Sequence, residues 1–380
     1  MVNRKLLQLI QKKMSLGKAI IILGPRQAGK TTLLKKLQSI TSKKSRLLNC
    51  DEPDIRKQLT DASSSQLKKL IGDAELLLID EAQRIPNIGL TLKLIYDQIE
   101  NVQIVATGSS AFELANKINE PLTGRKFEYL LLPFSTDELI AHHGLLEETR
   151  LLGHRLVFGM YPDVVNNPGH EKDILKNLSS SYLYKDIFTF QEIRRPDLIE
   201  RLLEALALQV ASEVSFEELA QLLRVDHTTV IRYINLLEQA FIIFRLGAFS
   251  RNLRNELKKS RKIYFYDNGI RNALIANLNP VEIRDDVGKL WENFLISERI
   301  KIEQYSDRWV NRYFWRTHQQ QEIDYIEEYG GRLYAYEFKW SAHRKYRFPK
   351  TFINAYPNSE VTVITPENYL EFITLDQNEP

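Results

Sequence analysis

Residues 20–34 read IIILGPRQAGKTTLL, and this stretch decides the fold. A β-branched apolar run leads into the pattern G-x-x-x-x-G-K-T, which fixes Gly24, Gly29, Lys30 and Thr31, and a Leu/Lys-rich stretch suited to a helix follows. Strand, loop and helix in this order are the context of a Walker A phosphate loop. Chance produces the four fixed positions in only about one in a hundred chains of this length. A turn without a ligand is therefore the weaker interpretation, and the sequence predicts a nucleoside triphosphate site.

The residue types of the loop indicate their roles. Gly24 and Gly29 allow backbone N–H groups to face phosphate oxygens at the positive end of the following helix. Lys30 is expected to reach the β- and γ-phosphates, and the Thr31 hydroxyl is expected to bind Mg²⁺. ATP and Mg²⁺ are therefore the expected cofactors. The predicted nucleotide-contacting residues are Gly24, Pro25, Arg26, Gln27, Ala28, Gly29, Lys30, Thr31 and Thr32.

A Walker B pattern follows at residues 76–81, which read LLLIDE. Asp80 is expected to hold Mg²⁺, and Glu81 is expected to polarise the attacking water. A further apolar run ends near Thr107 and Ser109, which are either water-orienting groups or parts of an ordinary strand-ending turn. Strands that alternate with helical stretches predict an α/β fold with a RecA/AAA-type parallel sheet.

Arg125 follows the last of these strands. It is expected to act as a catalytic finger that stabilises charge on the γ-phosphoryl group, either in its own site or in that of a neighbouring subunit. Action on a neighbour would require a ring or another homo-oligomer. An ordinary surface arginine at a turn is an equally good interpretation.

The composition limits the class of protein. A chain of 380 residues, 43% hydrophobic and 27% charged, is typical of two to three globular domains. The lone cysteine, Cys50, excludes an internal disulfide and a cysteine-based zinc site. No apolar run reaches 18 residues and the N-terminus lacks a signal-peptide core, so we expect no membrane partner and a cytoplasmic location. A net charge of +3 does not by itself indicate nucleic acid.

Several segments together resemble one family. They are GPRQAGKTTLL at residues 24–34, DEAQ at 80–83, TGSS at 107–110, LTGR at 122–125 and LPFS at 132–135. They are similar to the prokaryotic AAA-type predicted ATPases that carry a C-terminal domain of unknown function. The resemblance spans nearly the whole chain, and it implies a winged helix and a restriction-endonuclease-related fold in the C-terminal half. The family has no single established substrate.

We predict four regions along the chain. They are an ATPase core at residues 1–144, a helical lid or connector at 145–200, a winged helix-turn-helix at 201–285 and a restriction-endonuclease-like domain at 286–380.

The helix-turn-helix prediction begins with a capping box at residues 215–218, SFEE. Residues 227–237 predict the second helix, and residues 241–244 and 263–266 predict the wing strands. A basic patch is predicted between those strands, at Arg251, Arg254, Lys258, Lys259, Arg261 and Lys262. The DNA-contacting residues are expected to be Thr228, Thr229, Arg232, Arg251, Arg254, Lys258 and Lys259. A winged helix that only packs against its neighbours is the alternative.

A second candidate site lies in the last hundred residues. Gly330-Gly331 joins two apolar runs and predicts a two-residue hairpin. That turn places Asp324 opposite Glu337, and Glu322 opposite Lys339. Two facing carboxylates repel each other, and a bound Mg²⁺ or Mn²⁺ would remove the repulsion.

The arrangement D-x(12)-E-x-K resembles the metal-dependent core of restriction endonucleases. The resemblance implies that Asp324 and Glu337 hold the metal, that Lys339 positions or activates water, and that Glu292 on a preceding helix completes the site. Such folds are also retained as inert binding platforms. The chain is therefore predicted to be an ATP-hydrolysing, DNA-engaging ATPase, and two roles stay open for its C-terminal region. That region either cuts DNA with a metal ion, or belongs to a non-cutting switch that binds DNA or a protein partner.

Overall fold

The computed structural model describes residues 2–109, 116–182, 195–250, 261–306, 308–341 and 346–374. The chain forms two units. Within these ranges the first unit comprises residues 2–109, 116–134, 182 and 239–241, and the second comprises the other described residues. Within the described ranges, no helix has the length and apolar character needed to cross a bilayer.

The first unit is built on a five-stranded parallel sheet with the order β2-β3-β4-β1-β5. The strands are β1 (Ala19–Leu23), β2 (Ser45–Asn49), β3 (Leu76–Asp80), β4 (Gln103–Gly108) and β5 (Lys126–Leu130). The helices are α1 (Lys5–Met14), α2 (Lys30–Ile40), α3 (Pro53–Leu59), α4 (Ser64–Ile71), α5 (Ile88–Gln98) and α6 (Asn116–Asn119), with a 3₁₀ turn at Ala82–Arg84. Strands β1, β3 and β4 are buried along their whole length, as expected for continuous apolar runs in a parallel sheet.

The strand register places the two nucleotide motifs at one edge of this sheet. Leu23 of β1 pairs with Gly108 of β4, and β3 pairs with the other side of β4 in the same direction. The carboxyl ends of all three strands therefore meet. The phosphate loop begins there at Gly24, where a Cβ atom would lie 2.0 Å from the Leu131 carbonyl oxygen. Only glycine permits this approach of two backbones.

The chain from residue 135 onward contains many short helices and one long one. They are α7 (Thr136–His143), α8 (Leu145–Arg150), α9 (Leu152–Phe158), α10 (Pro162–Asn166), α11 (Glu171–Asn177), α12 (Pro196–Leu208), α13 (Phe216–Leu223), α14 (His227–Gln239), α15 (Asn268–Leu274), α16 (Val287–Glu303), α17 (Lys350–Ala355) and α18 (Tyr369–Ile373). A π-helical turn at Leu178–Tyr182 and a 3₁₀ turn at Val281–Ile283 complete the set within the described ranges.

A mixed seven-stranded sheet forms the centre of the second unit, with the order β12-β11-β10-β9-β7-β8-β6. Its strands are β6 (Glu213–Val214), β7 (Ile243–Ala248), β8 (Arg261–Phe265), β9 (Asn311–Arg316), β10 (Glu322–Tyr329), β11 (Arg332–Phe338) and β12 (Glu360–Ile364). The predicted wing strands correspond to β7 and β8, but β7 also pairs in parallel with β9. The boundary predicted at residue 285 therefore does not separate two sheets.

Helix α16 is fixed to strand β8 by an asparagine. The Phe265 N–H donates to Asn293 Oδ1 at 2.7 Å, and Asn293 Nδ2 donates to the Phe265 carbonyl at 3.0 Å. Both bonds are buried, so they hold the helix in one register against the strand. Glu292, the neighbouring residue of the helix, is thereby positioned beside β8.

Candidate functional site

The phosphate loop curls around the side chain of Lys30. Gly29 has φ 96° and precedes the first residue of α2, which is Lys30 itself. Lys30 Nζ donates to the carbonyl oxygens of Gly24 and Pro25, both at 2.8 Å. The loop is braced from outside by Arg4, whose guanidinium donates to the Ala28 carbonyl at 2.9 Å. A positive charge is therefore held at the N-terminus of a helix, where phosphate oxygens bind.

Hydroxyl and carboxylate oxygens meet beside this loop. Asp80, at the end of β3, accepts from the Thr31 hydroxyl at 2.6 Å and from the Thr107 hydroxyl at 2.5 Å. Asp80 and Thr107 are both buried. A threonine hydroxyl and a carboxylate within one hydrogen bond of each other are the hard oxygen ligands that Mg²⁺ takes in such sites. These residues fit a magnesium ion held between α2 and β3.

The carboxylate of Glu81 is held by a glutamine. Gln83 Nε2 lies 2.5 Å from Glu81 Oε2 and donates to the Ser109 hydroxyl at 3.0 Å. Glu81 has φ 53°, and its N–H donates to the Thr107 hydroxyl at 3.3 Å. Burial raises the pKa of Glu81, whereas Lys30 and the Gln83 bond act against that rise. Gln83 therefore favours the ionised form, which can accept a proton from water.

Helices α13 and α14, the two helices of the predicted helix-turn-helix, follow each other across a short turn. The Ser215 hydroxyl accepts from the Glu218 N–H at 3.2 Å and caps α13, and Arg224 turns the chain with φ 55°. On α14, Thr228 and Arg232 are exposed and Thr229 is half-buried. The predicted contacts Arg251, Arg254, Lys258 and Lys259 lie outside the described residues.

The C-terminal hairpin has the predicted register near its turn. Tyr325 pairs with Tyr336, and Tyr329 pairs with Arg332. These are the pairs expected when Gly330 and Gly331 form a two-residue turn. Asp324 and Glu337 lie one position beyond the last pair of this ladder, and they interact electrostatically: burial followed by the charge of Asp324 raises the pKa of Glu337 to about 7. The two carboxylates are therefore close enough to influence each other, whereas their direct pairing across the hairpin stays a prediction.

The predicted pairing of Glu322 with Lys339 does not form. Asp324 Oδ2 accepts from the Phe338 N–H at 2.9 Å, and the regular ladder ends before this point. Lys339 Nζ instead lies 2.5 Å from Glu337 Oε1, and its backbone N–H donates to the Ile364 carbonyl of β12.

Glu292 forms an ion pair with Lys262, which was predicted to belong to the basic patch of the winged helix. Lys262 Nζ lies 2.9 Å from Glu292 Oε1 and 2.5 Å from Glu322 Oε1. The Tyr264 hydroxyl, two residues further along β8, donates to the same Glu292 oxygen at 2.6 Å. Only 2% of the Lys262 side chain is exposed, so its assignment to a solvent-facing basic patch was wrong. The physical reason is that β8 lies between two other strands, so its lysine is buried with the strand and its charge requires nearby acids.

A metal centre built on three carboxylates does not fit this geometry. Among the residues that the structure describes, no group of three or more Asp, Glu, His or Cys side chains is arranged to hold a metal ion. Glu292, the expected third ligand beside Asp324 and Glu337, is bonded to Lys262 and Tyr264 instead. The charge that a metal would supply is already present as an ammonium group.

Three ranges of the chain match known protein families. Residues 16–140 match a family described as an AAA domain. They form an AAA domain. Residues 149–281 match a domain of unknown function (DUF8612), and residues 287–375 match another (DUF4143). The resemblance to AAA-type ATPases that carry C-terminal domains of unknown function is confirmed.

Most of the chain is similar to prokaryotic proteins that are described as uncharacterized. One from Mycobacterium tuberculosis is 27% identical over 324 residues, which cover 84% of this chain and 70% of that protein. One from Methanocaldococcus jannaschii is 25% identical over 316 residues, 76% of this chain and 68% of that protein. A solved Walker-type ATPase of Pyrococcus abyssi has a TM-score of 0.51 at 14% identity and covers 72% of this chain and 96% of its own. That similarity concerns the fold alone.

Arg125 lies on the far side of the AAA domain from the phosphate loop. Strands β1 and β5 are parallel, with Ala19 beside Lys126 and Leu23 beside Leu130. Arg125 precedes β5, so the length of β1, about 15 Å, separates it from the edge where the loop begins. Its guanidinium is paired with Asp97 at 3.1 Å on the surface. A finger role within its own site is therefore wrong, whereas action on a neighbouring subunit stays a prediction.

Two functional residues escaped the sequence analysis. Gln83 stood in the quoted DEAQ segment, but its role depends on the 3₁₀ turn that folds it back onto Glu81. Lys262 was predicted to belong to a basic patch. The alternation of side chains along β8 places Lys262 on the same face as Tyr264, and this pattern could have indicated that the lysine is buried.

Proposed function

We propose that this protein is an ATP-hydrolysing molecular switch that engages DNA without cutting it. One observation carries the ATPase assignment. Two separate segments meet at the edge of the sheet where β1 and β3 end. One supplies Lys30 and Thr31, and the other supplies Asp80 and Glu81. Each of these residues has the chemistry that its role requires.

The residues in and beside the phosphate loop would have separate roles. Lys30 exchanges the carbonyls of Gly24 and Pro25 for phosphate oxygens when the nucleotide binds. Thr31 and Asp80 would hold Mg²⁺, which neutralises developing charge on the phosphates. Glu81 accepts a proton from the attacking water, and Gln83 orients its carboxylate.

DNA engagement is proposed from the helix-turn-helix. Thr228 and Arg232 are exposed one turn apart on its second helix, where short hydroxyl and guanidinium groups suit a major groove. The Arg232 guanidinium lies 5.3 Å from the Tyr233 ring centre, which limits its mobility. Arg125 is proposed to complete a neighbouring ATP site in a homo-oligomer.

The C-terminal region is proposed to have a nuclease-like α/β fold that serves as a binding platform. A second candidate, an ATP-coupled nuclease, is favoured by one observation. The charge of Asp324 raises the pKa of Glu337, so two of the carboxylates that the nuclease resemblance assigns to a metal lie close to each other.

ATP turnover tests the main proposal. Lys30→Ala is expected to abolish phosphate release and to weaken binding of a fluorescent ATP analogue, because the phosphate-facing charge is lost. Glu81→Gln should retain binding and lose turnover, because only the base is removed. Unchanged turnover in Lys30→Ala would show that the phosphate-loop assignment is wrong.

Two DNA measurements test the remaining parts. Arg232→Ala should weaken binding to labelled duplex DNA and reduce the dependence of affinity on salt, whereas Arg150→Ala, an exposed arginine on α8, serves as the matched control. Incubation of linear and branched DNA with Mn²⁺ should yield no cutting. Cutting that disappears in Asp324→Ala would favour the nuclease candidate.

A further inference from the structure

A buried cluster in the second unit contains a cation of its own. The Lys262 cluster consists of Lys262, Tyr264, Glu292, Glu322 and Asp324. We propose that the Lys262 ammonium occupies the position that a divalent cation would take among these carboxylates, so that the wild-type chain excludes divalent metal from its nuclease-like region. This inference deepens the non-cutting role proposed above and supplies its physical cause.

The distances define where a cation could lie. Lys262 Nζ is 2.9 Å from Glu292 Oε1 and 2.5 Å from Glu322 Oε1, so two carboxylates from helix α16 and strand β10 already converge on one point. Divalent cations bind carboxylate oxygens at about 2.0–2.6 Å. A metal that used these two oxygens would have to compete with Nζ for both of them. The ammonium and the metal therefore exclude each other by volume and by like charge.

The electrostatic surroundings keep the ammonium charged. Burial opposes the charge, but Glu292, Asp324 and Glu322 together raise the pKa of Lys262 above its usual value. Asp324 lies close enough to Lys262 for each to shift the other's ionisation, and Lys262 favours the charged form of Asp324. The lysine therefore offsets the charge of Glu292 and Asp324, two of the acids that the nuclease resemblance assigns to the metal site.

The backbone prevents Lys262 from moving away as a surface lysine would. Its strand, β8, pairs with Leu246 of β7 on one side and with Glu213 of β6 on the other. The Lys262 side chain is 2% exposed and its Nζ lies 5.5 Å from the centre of the Phe314 ring. By contrast, the Lys339 side chain is 24% exposed at the rim of the site. Lys262 is thus a fixed counter-ion rather than a mobile one.

Manganese binding tests the proposal directly. The full chain, carrying Asp80→Asn to remove the metal ligand of the ATP site, would be titrated with Mn²⁺ in the absence of nucleotide, and free Mn²⁺ would be followed by electron paramagnetic resonance. The chain with Lys262 intact and the Lys262→Arg control should bind no Mn²⁺ up to about 1 mM, the weak end of oxygen-ligand sites. Lys262→Ala should bind one Mn²⁺ at least about tenfold more tightly, and Lys262→Ala/Glu322→Gln should lose that site.

Two outcomes would overturn the proposal. One is binding of one Mn²⁺ by the chain with Lys262 intact that disappears in Asp324→Asn. The other is a folded Lys262→Ala variant, with a cooperative melt, that gains no Mn²⁺ site. If Lys262→Ala does not fold, the titration of the chain with Lys262 intact decides alone. ATP turnover of the Asp80-containing chain and the Arg232 DNA measurement are independent of these results, so failure of the proposed function can be told from failure of this inference.

Discussion

Gln83→Ala isolates the group that holds the proposed catalytic base. In the structure Gln83 Nε2 donates to the carboxylate of Glu81, and this bond lowers the pKa of Glu81 against the effect of burial. Alanine removes the donor, so the pKa of Glu81 must rise. Because only the ionised carboxylate accepts a proton, the acid limb of the pH profile moves to higher pH.

The size of the effect follows from the bond that is lost. A hydrogen bond to a charged group contributes about 1.5–3 kcal/mol. We take the lower value because Glu81 is half-buried and water can replace part of the bond. That value corresponds to a loss of about tenfold in kcat/KM below the acid limb. Since the effect depends on protonation, the loss should shrink as the pH rises.

The assay is steady-state ATP hydrolysis across the pH range, because kcat/KM reports the ionisations of the free enzyme. Gln98→Ala is the matched control, since Gln98 is exposed at the end of α5, and its profile should equal that of the wild type. A Gln83→Ala profile whose acid limb stays in place or moves to lower pH would refute the reasoning. A loss that is constant at every pH would also refute it.

Two further experiments, a substitution at Gly24 and chemical labelling of Cys50, test the structure of the AAA domain. Gly24→Ala should lower the melting temperature and the ATP affinity, because the new Cβ would meet the Leu131 carbonyl oxygen at 2.0 Å. The expected loss of stability is at least about 1–3 kcal/mol. The control is Gly288→Ala, which has open space around it and should melt no earlier than the wild type in scanning fluorimetry. Burial, followed by the charge of Asp80, raises the pKa of Cys50 to about 12, so about one thiol in 10⁴ is ionised at pH 8. Ellman's reagent should therefore label Cys50 only on unfolding, and rapid labelling of the native chain would contradict its burial.

Short-range patterns in the sequence were sufficient to identify the AAA domain. The spacing of Gly24, Gly29, Lys30 and Thr31 records local backbone geometry, because a phosphate loop needs glycine conformations and a helix start within one short segment. The Gly-Gly turn likewise set the hairpin register, since a two-residue turn leaves only one pairing for the residues beside it. Such features are determined by neighbours along the chain.

Contacts between distant segments were decided only by the tertiary structure. Arg125 follows the nucleotide motifs along the chain, but the parallel direction of β5 places it at the opposite end of the strands from the phosphate loop. Lys262 belongs to a basic run, yet its strand lies in a sheet that brings it to Glu292 and Glu322. The sequence by itself determined which chemical groups are present and the local turns that hold them. Their partners depend on sheet order and burial, which involve residues separated by 30 positions or more in these pairs, so no local pattern could reveal them.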